Sequence, residues 1–580
     1  MEKIKLNING IETEVEQGCT ILDAAKAIGI YIPTLCHLNL EGFEICNEVS
    51  SCRVCMVEVE GRPALVTACS EKCVPGMVVH TDSMRALNGR RTALELLLSN
   101  HPKDCLVCPK NLDCELQALA KHLNINHIDY VGETMNYPID TTSCSLVKDP
   151  NKCIMCRRCE TMCNEVQTVG VLSALGRGFN AVVAPAFHLD MADTSCTFCG
   201  QCVAVCPTAA LTEKNEVQRV WRQLNDPSKH VIVQVAPAVR VAIGELFGME
   251  PGTISTGKLV AALRRLGFDA VFDTDWAADL TIIEEASELI HRIQNDGVLP
   301  ILTSCCPAWV NFIEHQFPDM LDIPSTCKSP QIMFGAMAKS YYASKMGLNA
   351  NDICVISVMP CIAKKAEAAR PELSKDENSN VDIVISTREL GKMLHEAGVD
   401  FKRLPDEDFD QLMGESTGAS VIFGTTGGVI EAAVRTAYEW VTGETLENVE
   451  FTQLRGLEGI RTASVQMGDI TLNIGIAHGL GHARELLEGV RAGKYDLHAI
   501  EIMACPGGCI GGGGQPYHHG DVEILRKRQE ALYQEDRNKQ LRMSHQNPMI
   551  QKLYEEYLGE PYGELAHDLL HTKYIAKERI

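Results

Sequence analysis

The chain has 580 residues, which is too long for a single hydrophobic core and predicts about three to five domains. Its net charge of −23 argues against nucleic acid and anionic membranes as partners, and no apolar run approaches the roughly 18 residues of a membrane span. Because the first residues lack the apolar region of a signal peptide, we expect a cytoplasmic protein. Its 26 cysteines are then expected to bind metal, mostly as iron–sulfur clusters, and not to form disulfides.

The N-terminal stretch is predicted to be a small unit of strands and one helix. Strands are expected at 3–8 and 12–15, joined by Asn9-Gly10, a pair typical of a tight hairpin turn. Thr20 is expected to cap a helix that follows this hairpin.

Four cysteines come next with the spacing C-x15-C-x2-C-x13-C: Cys36, Cys52, Cys55 and Cys69. This pattern is similar to the [2Fe–2S] domains of hydrogenases and of the large iron–sulfur subunit of respiratory complex I, and it implies a β-grasp [2Fe–2S] domain over residues 1–80. Cys46 competes with Cys36 for the first ligand position, but the loop before Cys36 matches the family better. A zinc site is the alternative, and the strand–turn–strand–helix context favours iron–sulfur.

The next cysteine group contains one histidine and follows a predicted helix, Arg90–Ser99. Its members are His101, Cys105, Cys108 and Cys114. The pattern resembles a [4Fe–4S] site of the same two families that is held by one histidine and three cysteines, and it implies a second domain over 81–138. Imidazole in place of thiolate removes a negative charge, which can raise the reduction potential.

An internal repeat of four cysteines predicts a two-cluster ferredoxin domain over 139–222. In this bacterial run the fourth cysteine of each half binds the other cluster. One [4Fe–4S] cluster should therefore take Cys153, Cys156, Cys159 and Cys206. The other should take Cys196, Cys199, Cys202 and Cys163. The first half ends in Cys-Asn, not Cys-Pro, which leaves the ligand spacing intact.

From about residue 225, strand-like runs alternate with helical patterns, which is typical of a doubly wound α/β domain. The predicted strand and helix pairs are 230–236 and 238–247, 268–274 and 281–294, 299–303 and 307–317, 353–358 and 361–369, and 381–386 and 387–397. The acidic stretch 372–380 is expected to be a surface loop. Beyond Pro516 the chain turns polar, with predicted helices at 526–547 and 549–558.

Three cysteine motifs follow apolar, strand-like runs of this domain. They are Thr303–Pro307, Met359–Cys361 and Ala504–Pro516. Sites in open α/β sheets form beyond the carboxyl ends of strands, so these motifs could bring four thiols to one point: Cys306, Cys361, Cys505 and Cys509. Buried, inert cysteines are the alternative.

Read as TSCCPAW, MPCIAKK and ACPGGCIGGGGQP, the same three motifs resemble the signatures of the iron-only ([FeFe]) hydrogenases. The resemblance covers nearly the whole chain. It implies a catalytic domain at 223–522 and a helical tail at 523–580 like the family's small subunit. The expected fold is thus multidomain, α+β in the cluster domains and α/β in the catalytic domain.

The resemblance also implies a cofactor, the H-cluster. Its [4Fe–4S] part would be held by the four converging thiols, and Cys509 would bridge to a diiron subsite that carries CO, cyanide and a dithiolate amine. Lys364 would donate to a cyanide. The wall of the site would contain Pro237, Ala238, Gln331, Met359 and Met503. Ala238 stands where the family often has serine, which removes one possible cyanide hydrogen bond.

A proton relay is implied by the same resemblance. Cys305 matches the family's proton-transfer cysteine, and Glu285, Ser325 and Glu288 match the following members. Read alone, Glu285 and Glu288 would more often be two acids on a solvated helix face. Six cysteines have no predicted role: Cys19, Cys46, Cys73, Cys144, Cys327 and Cys354.

The expected activity is the interconversion of H2 with protons and electrons, with one [2Fe–2S] and three accessory [4Fe–4S] clusters as the wire. The redox partner is predicted to be a set of flavoprotein, NAD(P)-binding subunits in an NAD(P)-linked or electron-bifurcating complex, or else a soluble ferredoxin. Maturation proteins would load the diiron subsite. The other hypotheses are a complex I-like electron-transfer subunit without catalysis, a hydrogen sensor, and an iron–sulfur assembly factor.

Overall fold

In a computed structural model, which describes residues 2–40, 45–47, 49–374, 378–446 and 448–579, the N-terminal unit is built on a five-stranded mixed sheet. The predicted hairpin is confirmed, and its first strand also pairs in parallel with a later one. Thr20 caps the predicted helix Ile21–Ala27, and Asp23 caps Thr20 in return. The strands of this unit, including a separate two-stranded hairpin, are Lys3–Ile8, Ile11–Glu16, Met56–Val59, Val66–Thr67, Val78–His80, Leu38–Leu40 and Ile45–Asn47.

Helices and short hairpins follow. The helix predicted at 90–99 runs from Met84 to Asn100, because Ser83 supplies an N-cap six residues earlier than the apolar pattern suggested. The short helix Glu115–His122 comes next. The ferredoxin region contains two antiparallel strand pairs, Leu146–Lys148 with Leu211–Glu213 and Ser173–Leu175 with Val182–Ala184. Two short helices, Arg158–Thr161 and Gln201–Ala204, begin next to the cysteine runs.

The strands of the catalytic domain form two four-stranded sheets. The first sheet is parallel, in the order Ala270–Asp273, His230–Val235, Ile353–Met359 and Ile383–Ser386. The second sheet has the order Ile301–Leu302, Ala499–Met503, Ile470–His478 and Ile460–Met467, and its last strand is antiparallel. All five predicted strands are present, but the two sheets could not be told apart from the sequence.

Four of the five helices predicted for this domain are present, and the structure adds others that the pattern did not predict. The region 238–247 is an exception, since it forms two 3-10 turns, Pro237–Val239 and Ile243–Phe247. Gly244 lowers the helix propensity there, and Gly248 ends the turn in the left-handed conformation. The helices of the domain are Val217–Leu224, Thr256–Leu266, Thr274–Gln294, Pro307–Gln316, Pro330–Met337, Ala343–Met346, Ala363–Ala368, Thr387–Glu396, Gly418–Val421, Gly428–Thr442 and Leu480–Arg491.

The C-terminal tail packs on the catalytic domain through buried ion pairs. Its helices are Val522–Asn538, Pro548–Leu553 and Glu564–Leu570. Asp536, fully buried, accepts from Arg435 at 2.9 Å and from Arg542 at 2.6 Å. The first predicted tail helix ends at Asn538, short of 547, because the chain beyond it is extended and Leu541 accepts a backbone hydrogen bond from Gly418.

Two further expectations from the sequence concern a membrane span and a surface loop. Within the described residues, no helix has both the length and the apolar composition needed to cross a membrane. The loop predicted at 372–380 lies partly outside the described residues, and the part that is described begins with a 3-10 turn, Pro371–Leu373.

Candidate active site and cluster sites

The three cysteine motifs meet in one buried cavity at the carboxyl ends of both catalytic sheets. Cys306 follows the strand Ile301–Leu302, and it is the N-cap of a helix. Cys361 follows a strand of the first sheet, while Cys505 and Cys509 follow a strand of the second. The wall of this cavity includes all four thiols. The predicted convergence is therefore present.

Two glycines allow the backbone to approach this cavity closely. Gly508 has φ +96, and a Cβ there would lie 2.7 Å from the Thr426 nitrogen. A Cβ on Gly512 would lie 2.3 Å from the carbonyl oxygen of Pro360. Since neither position has room for a side chain, the glycine-rich motif brings its thiols and the strand-end loops to one wall.

The electrostatics of the four thiols fit a metal cluster. Burial and the neighbouring Cys306 raise the pKa of Cys509 to about 12. Burial and neighbouring thiols also raise the pKa of Cys361 and of Cys505. Such a group of dry thiols resists ionisation, whereas bound iron would supply the positive charge that keeps them deprotonated. The backbone nitrogen of Ala504 already points at the Cys306 sulfur, at 3.5 Å.

Lys364 also lines the cavity. Its ammonium donates to the Cys305 carbonyl at 3.0 Å and to Glu367 at 2.9 Å, which leaves one N–H of the three free to point at a ligand. Burial opposes the charge, yet the Glu367 carboxylate raises the pKa of Lys364 above its usual value. The site therefore holds a fixed cation beside a space suited to an anionic group.

The remaining predicted wall residues all line the cavity. They are Pro237, Ala238, Gln331, Met359 and Met503. The buried Gln331 Oε1 has no hydrogen-bond partner among the described residues, while its amide nitrogen donates to Glu367 at 3.0 Å. Phe423 and Pro330 also line the wall, and the sequence reasoning missed both because neither lies in a cysteine motif.

The predicted relay residues are buried and lie close together. Cys305 and Glu285 interact electrostatically. Glu285 Oε1 accepts from the Ser304 backbone nitrogen at 3.5 Å, and Oε2 has no hydrogen-bond partner among the described residues. The Ser325 hydroxyl donates to Glu288 at 2.8 Å. Burial and the nearby Glu288 raise the pKa of Glu285 to about 8, so this carboxyl holds a proton at neutral pH. Glu285 and Glu288 are 5% and 1% exposed, so the surface interpretation of this pair is wrong.

Arg292 joins this group and was not predicted. Its guanidinium donates to Glu288 at 2.6 Å, and its side chain is 11% exposed, so it connects the buried acids to solvent. The sequence held a signal for it, since Arg292 lies four residues after Glu288 on the same helix face.

The ferredoxin cysteines surround two buried cavities in the predicted cross-paired sets. One cavity is lined by Cys153, Cys156, Cys159 and Cys206. The other is lined by Cys163, Cys196, Cys199 and Cys202. Each set draws its fourth cysteine from the other half of the repeat, so the arrangement matches that of two-cluster ferredoxins.

The N-terminal cysteines also converge. The sulfur of Cys55 lies 3.4 Å from that of Cys69, and Cys36 is within hydrogen-bond reach of Cys52 and Cys69. Cys46, the rival for the first position, contacts His37 at 3.6 Å. The geometry therefore favours Cys36 over Cys46.

The site with one histidine lies near the surface. His101 is the C-cap of its helix, and its buried Nδ1 has no partner among the described residues. Burial and the Lys152 cation lower the pKa of His101 to about 4, which keeps the imidazole neutral, as a metal ligand requires. Lys152 also donates to the Cys108 sulfur at 3.8 Å. Cys105 is exposed, and Cys114 is half-buried.

Known families match successive parts of the chain. The family described as the iron-only hydrogenase large subunit, C-terminal domain, matches residues 229–513. The iron hydrogenase small subunit matches 522–577. The cluster regions match the 2Fe-2S iron-sulfur cluster binding domain (1–84), the iron-sulfur binding region of NADH-ubiquinone oxidoreductase G (90–129) and the 4Fe-4S dicluster domain (152–210).

Individual relatives cover the whole chain. It is 60% identical to the NADP-reducing hydrogenase subunit HndD of Solidesulfovibrio fructosivorans, over 100% of both chains. It is 40% identical to iron hydrogenase 1 of Clostridium pasteurianum, over 98% of this chain and 99% of that one. A solved structure of the [FeFe]-hydrogenase HydA1 from Chlamydomonas reinhardtii is 44% identical, with a TM-score of 0.57, and covers 63% of this chain and 100% of its own. The chain therefore belongs to the iron-only hydrogenases, iron–sulfur oxidoreductases that act on H2.

Proposed function

We propose that this chain is the catalytic subunit of an NADP-linked hydrogenase complex, in which it interconverts H2 with protons and electrons. The observation that carries this proposal is one cavity with four converging thiols, a buried cation and a group of buried acid–base side chains that extends toward the surface. We also infer five domains, at 1–80, 81–138, 139–222, 223–522 and 523–580.

The cofactor of the cavity is inferred to be the H-cluster. Cys306, Cys361, Cys505 and Cys509 would hold its [4Fe–4S] part, and Cys509 would also serve the diiron subsite. When bound, the diiron subsite with its CO, cyanide and dithiolate amine supplies the chemistry at the H–H bond. The protein contributes few ligands, so most of its work at this site is enclosure, orientation and proton handling.

Enclosure comes from apolar side chains that line the space beside the thiols. Met359, Met503 and Phe423 keep bulk water away from the reacting centre. In this dry site, Lys364 presents its remaining N–H to an anionic ligand such as cyanide, and Glu367 fixes the direction of the ammonium group. Gln331 offers its unpaired carbonyl to the same space.

Protons are inferred to move along the side chains between the cavity and the surface. Cys305 gives and takes a proton at the cavity wall, and Glu285 carries it to Ser325. Glu288 accepts it from the Ser325 hydroxyl, beside Arg292 at the outer end. Each group can both bind and release a proton except Arg292, which orients Glu288 and steers the exchange with solvent.

Electrons are inferred to move through accessory clusters in the other three domains. The cofactors are one [2Fe–2S] cluster at Cys36, Cys52, Cys55 and Cys69, one [4Fe–4S] cluster at His101, Cys105, Cys108 and Cys114, and two [4Fe–4S] clusters in the ferredoxin domain. Cys199 of the ferredoxin domain interacts electrostatically with Cys306, so this module adjoins the cavity.

The cluster site with one histidine is the inferred docking point for the electron-carrying partner. Beside the exposed Cys105, three large apolar side chains are almost fully exposed: Leu106 at 90%, Val107 at 81% and Leu112 at 90%. An apolar patch next to a cluster is typical of a surface that a partner covers. The relative from Solidesulfovibrio fructosivorans is named as a subunit of an NADP-reducing hydrogenase, which supports a flavoprotein, NADP-binding partner.

Purification of the native complex tests this proposal. We expect the chain to copurify with flavin-containing subunits and to produce H2 from NADPH, or NADPH from H2, only with those subunits present. Leu106→Asp should weaken this association, whereas Phe187→Asp, which changes an equally exposed side chain elsewhere, should not. A chain that is isolated alone and exchanges electrons with ferredoxin only would favour the single-subunit alternative.

A further inference from the structure

Three metal-ligating side chains outside the active site meet at the outer end of the proposed relay. They are Glu288, Cys327 and His571, and their ligand atoms all lie within 4.8 Å of one another. The Cys327 sulfur is 3.8 Å from Glu288 Oε2 and 4.0 Å from His571 Nδ1. All three side chains are buried, and none of the cluster motifs includes Cys327 or His571.

His571 is held in the orientation that metal-binding histidines adopt. Its Nε2 lies 3.0 Å from the buried Glu284 carboxylate, so this nitrogen carries the proton and Nδ1 keeps a lone pair. Glu284 also accepts hydrogen bonds from the Tyr554 hydroxyl and the Tyr562 backbone nitrogen. A carboxylate behind a histidine ring in this way fixes the direction of the ring.

We propose that Glu288, Cys327 and His571 form a binding site for a thiophilic divalent cation of the zinc class. One thiolate, one imidazole and one carboxylate are a donor set that Zn²⁺ prefers and that Mg²⁺ and Ca²⁺ avoid. The fourth position of a tetrahedral ion is left for water. Binding displaces the Cys327 thiol proton to solvent, while the carboxylate and the neutral imidazole bind as they stand.

The three ligand atoms must move closer together to bind this ion. Zinc bonds of about 2.3 Å to sulfur and about 2.0 Å to nitrogen or oxygen place tetrahedral ligand atoms roughly 3.5 Å apart. The two distances from the Cys327 sulfur exceed that by a few tenths of an ångström. The ligand atoms of Glu288 and His571 lie within 4.8 Å of each other, so this pair would close by up to about 1.3 Å. One existing contact must yield, because the Thr326 hydroxyl lies 2.7 Å from His571 Nδ1 and would turn away.

The C-terminal tail covers this site and provides its entrance. The ring of the exposed His567 stacks on His571, with centroids 4.6 Å apart, and Tyr562 packs edge-on against the same ring at 5.4 Å. A surface depression lined by Gly559, Tyr562, Gly563 and His567 lies directly outside. A cation can therefore first meet the exposed imidazole and then the buried one.

The bound cation would inhibit turnover, and this consequence rests on the proposed relay. Glu288 accepts the Ser325 proton in that relay, and a metal on its carboxylate removes the acceptor. Zinc would act at a distance from the H-cluster, without touching its iron or its ligands. The site thus links H2 turnover to the availability of a soft divalent metal.

The test uses the fully loaded holoenzyme under anaerobic conditions, with iron counted before and after ZnCl2 is added. We expect one reversible zinc per chain, an X-ray absorption spectrum at the zinc edge with one sulfur neighbour, unchanged iron, and loss of H2 turnover that EDTA restores. Cys327→Ala and His571→Asn should each weaken zinc binding by about a hundredfold or more. Cys354→Ala, at a buried cysteine of the catalytic sheet, is the matched control and should bind zinc as the wild type does.

The possible outcomes distinguish the proposed metal site from the proposed role of Glu288 in the proton relay. Zinc without a sulfur neighbour, or equal zinc affinity in the wild type and both variants, would overturn the metal site and leave these residues as packing. Zinc bound through Cys327 with full turnover would support the metal site and overturn the proposed role of Glu288. If one variant fails to fold, the other variant and the wild-type spectrum still decide.

Discussion

Gly200 of the ferredoxin module and Gly513 of the catalytic domain touch through bare backbone. A Cβ on Gly513 would lie 2.8 Å from the Gly200 main chain, and one on Gly200 would lie 3.2 Å from the Gly513 Cα. Gly200 follows Cys199, and the Cys199 thiol interacts electrostatically with Cys306 and Cys505. The absence of two side chains thus brings the inferred electron wire against the inferred active site.

Gly513→Ala is expected to open this contact. Forcing a methyl group into such a space typically costs 1–3 kcal/mol, so the melting temperature of the holoenzyme should fall. H2 turnover with the physiological electron partner should fall as well. Gly132→Ala is the matched control, since a Cβ there would meet nothing within 4 Å. An unchanged melting temperature and unchanged turnover in Gly513→Ala would show that the contact has no such role.

Cys199→Ser is expected to interrupt electron transfer between the accessory clusters and the active site, without abolishing H2 evolution at the active site. Serine is a poorer iron–sulfur ligand than cysteine, so the adjacent cluster should be lost or altered. Turnover with the physiological partner should collapse, whereas H2 evolution from a small diffusing reductant that reaches the active site directly should persist. Both assays, made on one preparation with its iron counted, give the answer. Equal loss in the two assays would assign Cys199 a role beyond electron transfer.

The sequence predicted the chemistry of the site better than its surroundings. Cysteine spacing is local, so the ferredoxin sets could be paired before any fold was known, and the two cavities hold those same sets. The hairpin Ile460–Met467 and Ile470–His478 was not predicted, although Gly468-Asp469 between its strands is a turn signal. Its two strands follow one another directly. They therefore do not fit the alternation of strands and helices from which the other strands were predicted.

Long-range contacts that no motif marks could not be predicted. His571 meets Cys327 from 244 residues away, and no periodicity or motif in either segment points to the other. Burial of Glu285 and Glu288 also depends on how the tail covers their helix. A sequence shows which helix face carries two acids, but tertiary packing decides whether water reaches that face.

Cys306→Ser is expected to lose the iron of the catalytic cubane. Oxygen is a poorer ligand than sulfur for iron–sulfur clusters, and Cys306 faces the cavity with three other thiols. Iron per chain should fall relative to the wild type, and H2 turnover should disappear. Cys354→Ser, at a buried cysteine in a strand, controls for the general effect of the substitution. Unchanged iron and activity would contradict the four-ligand assignment.

Glu285→Gln is expected to change how stability depends on pH. The folded carboxyl holds its proton to a pKa of about 8, whereas the unfolded one releases it near its ordinary value of 4.5. Between these values the unfolded state binds fewer protons, so Glu285 destabilises the fold as pH rises. Glutamine mimics the protonated form and should remove this part of the decline. Thermal unfolding between about pH 5 and pH 8 measures it, with the exposed Glu523→Gln as control.

Glu285→Gln also tests the proposed proton relay. Because an amide cannot pass a proton onward as a carboxyl can, Glu285→Gln should lower H2 turnover by at least about a hundredfold with all clusters intact. A flat pH dependence with full turnover would confirm the buried, protonated carboxyl and remove Glu285 from the path.

The relay must begin at a group that can exchange a proton beside the cofactor, and Cys305 is the inferred one. Burial and Glu285 raise the pKa of the Cys305 thiol, but a thiol still releases a proton far more readily than an alcohol. Cys305→Ser keeps the size and the hydrogen bonding, so the clusters should assemble while turnover falls at least about a hundredfold. Cys305→Asp should retain part of the activity, because a carboxyl can titrate. H2 turnover is measured together with the infrared bands of the CO and cyanide ligands, which show whether the cofactor is assembled. Full turnover in Cys305→Ser with intact bands would reduce Cys305 to a packing residue.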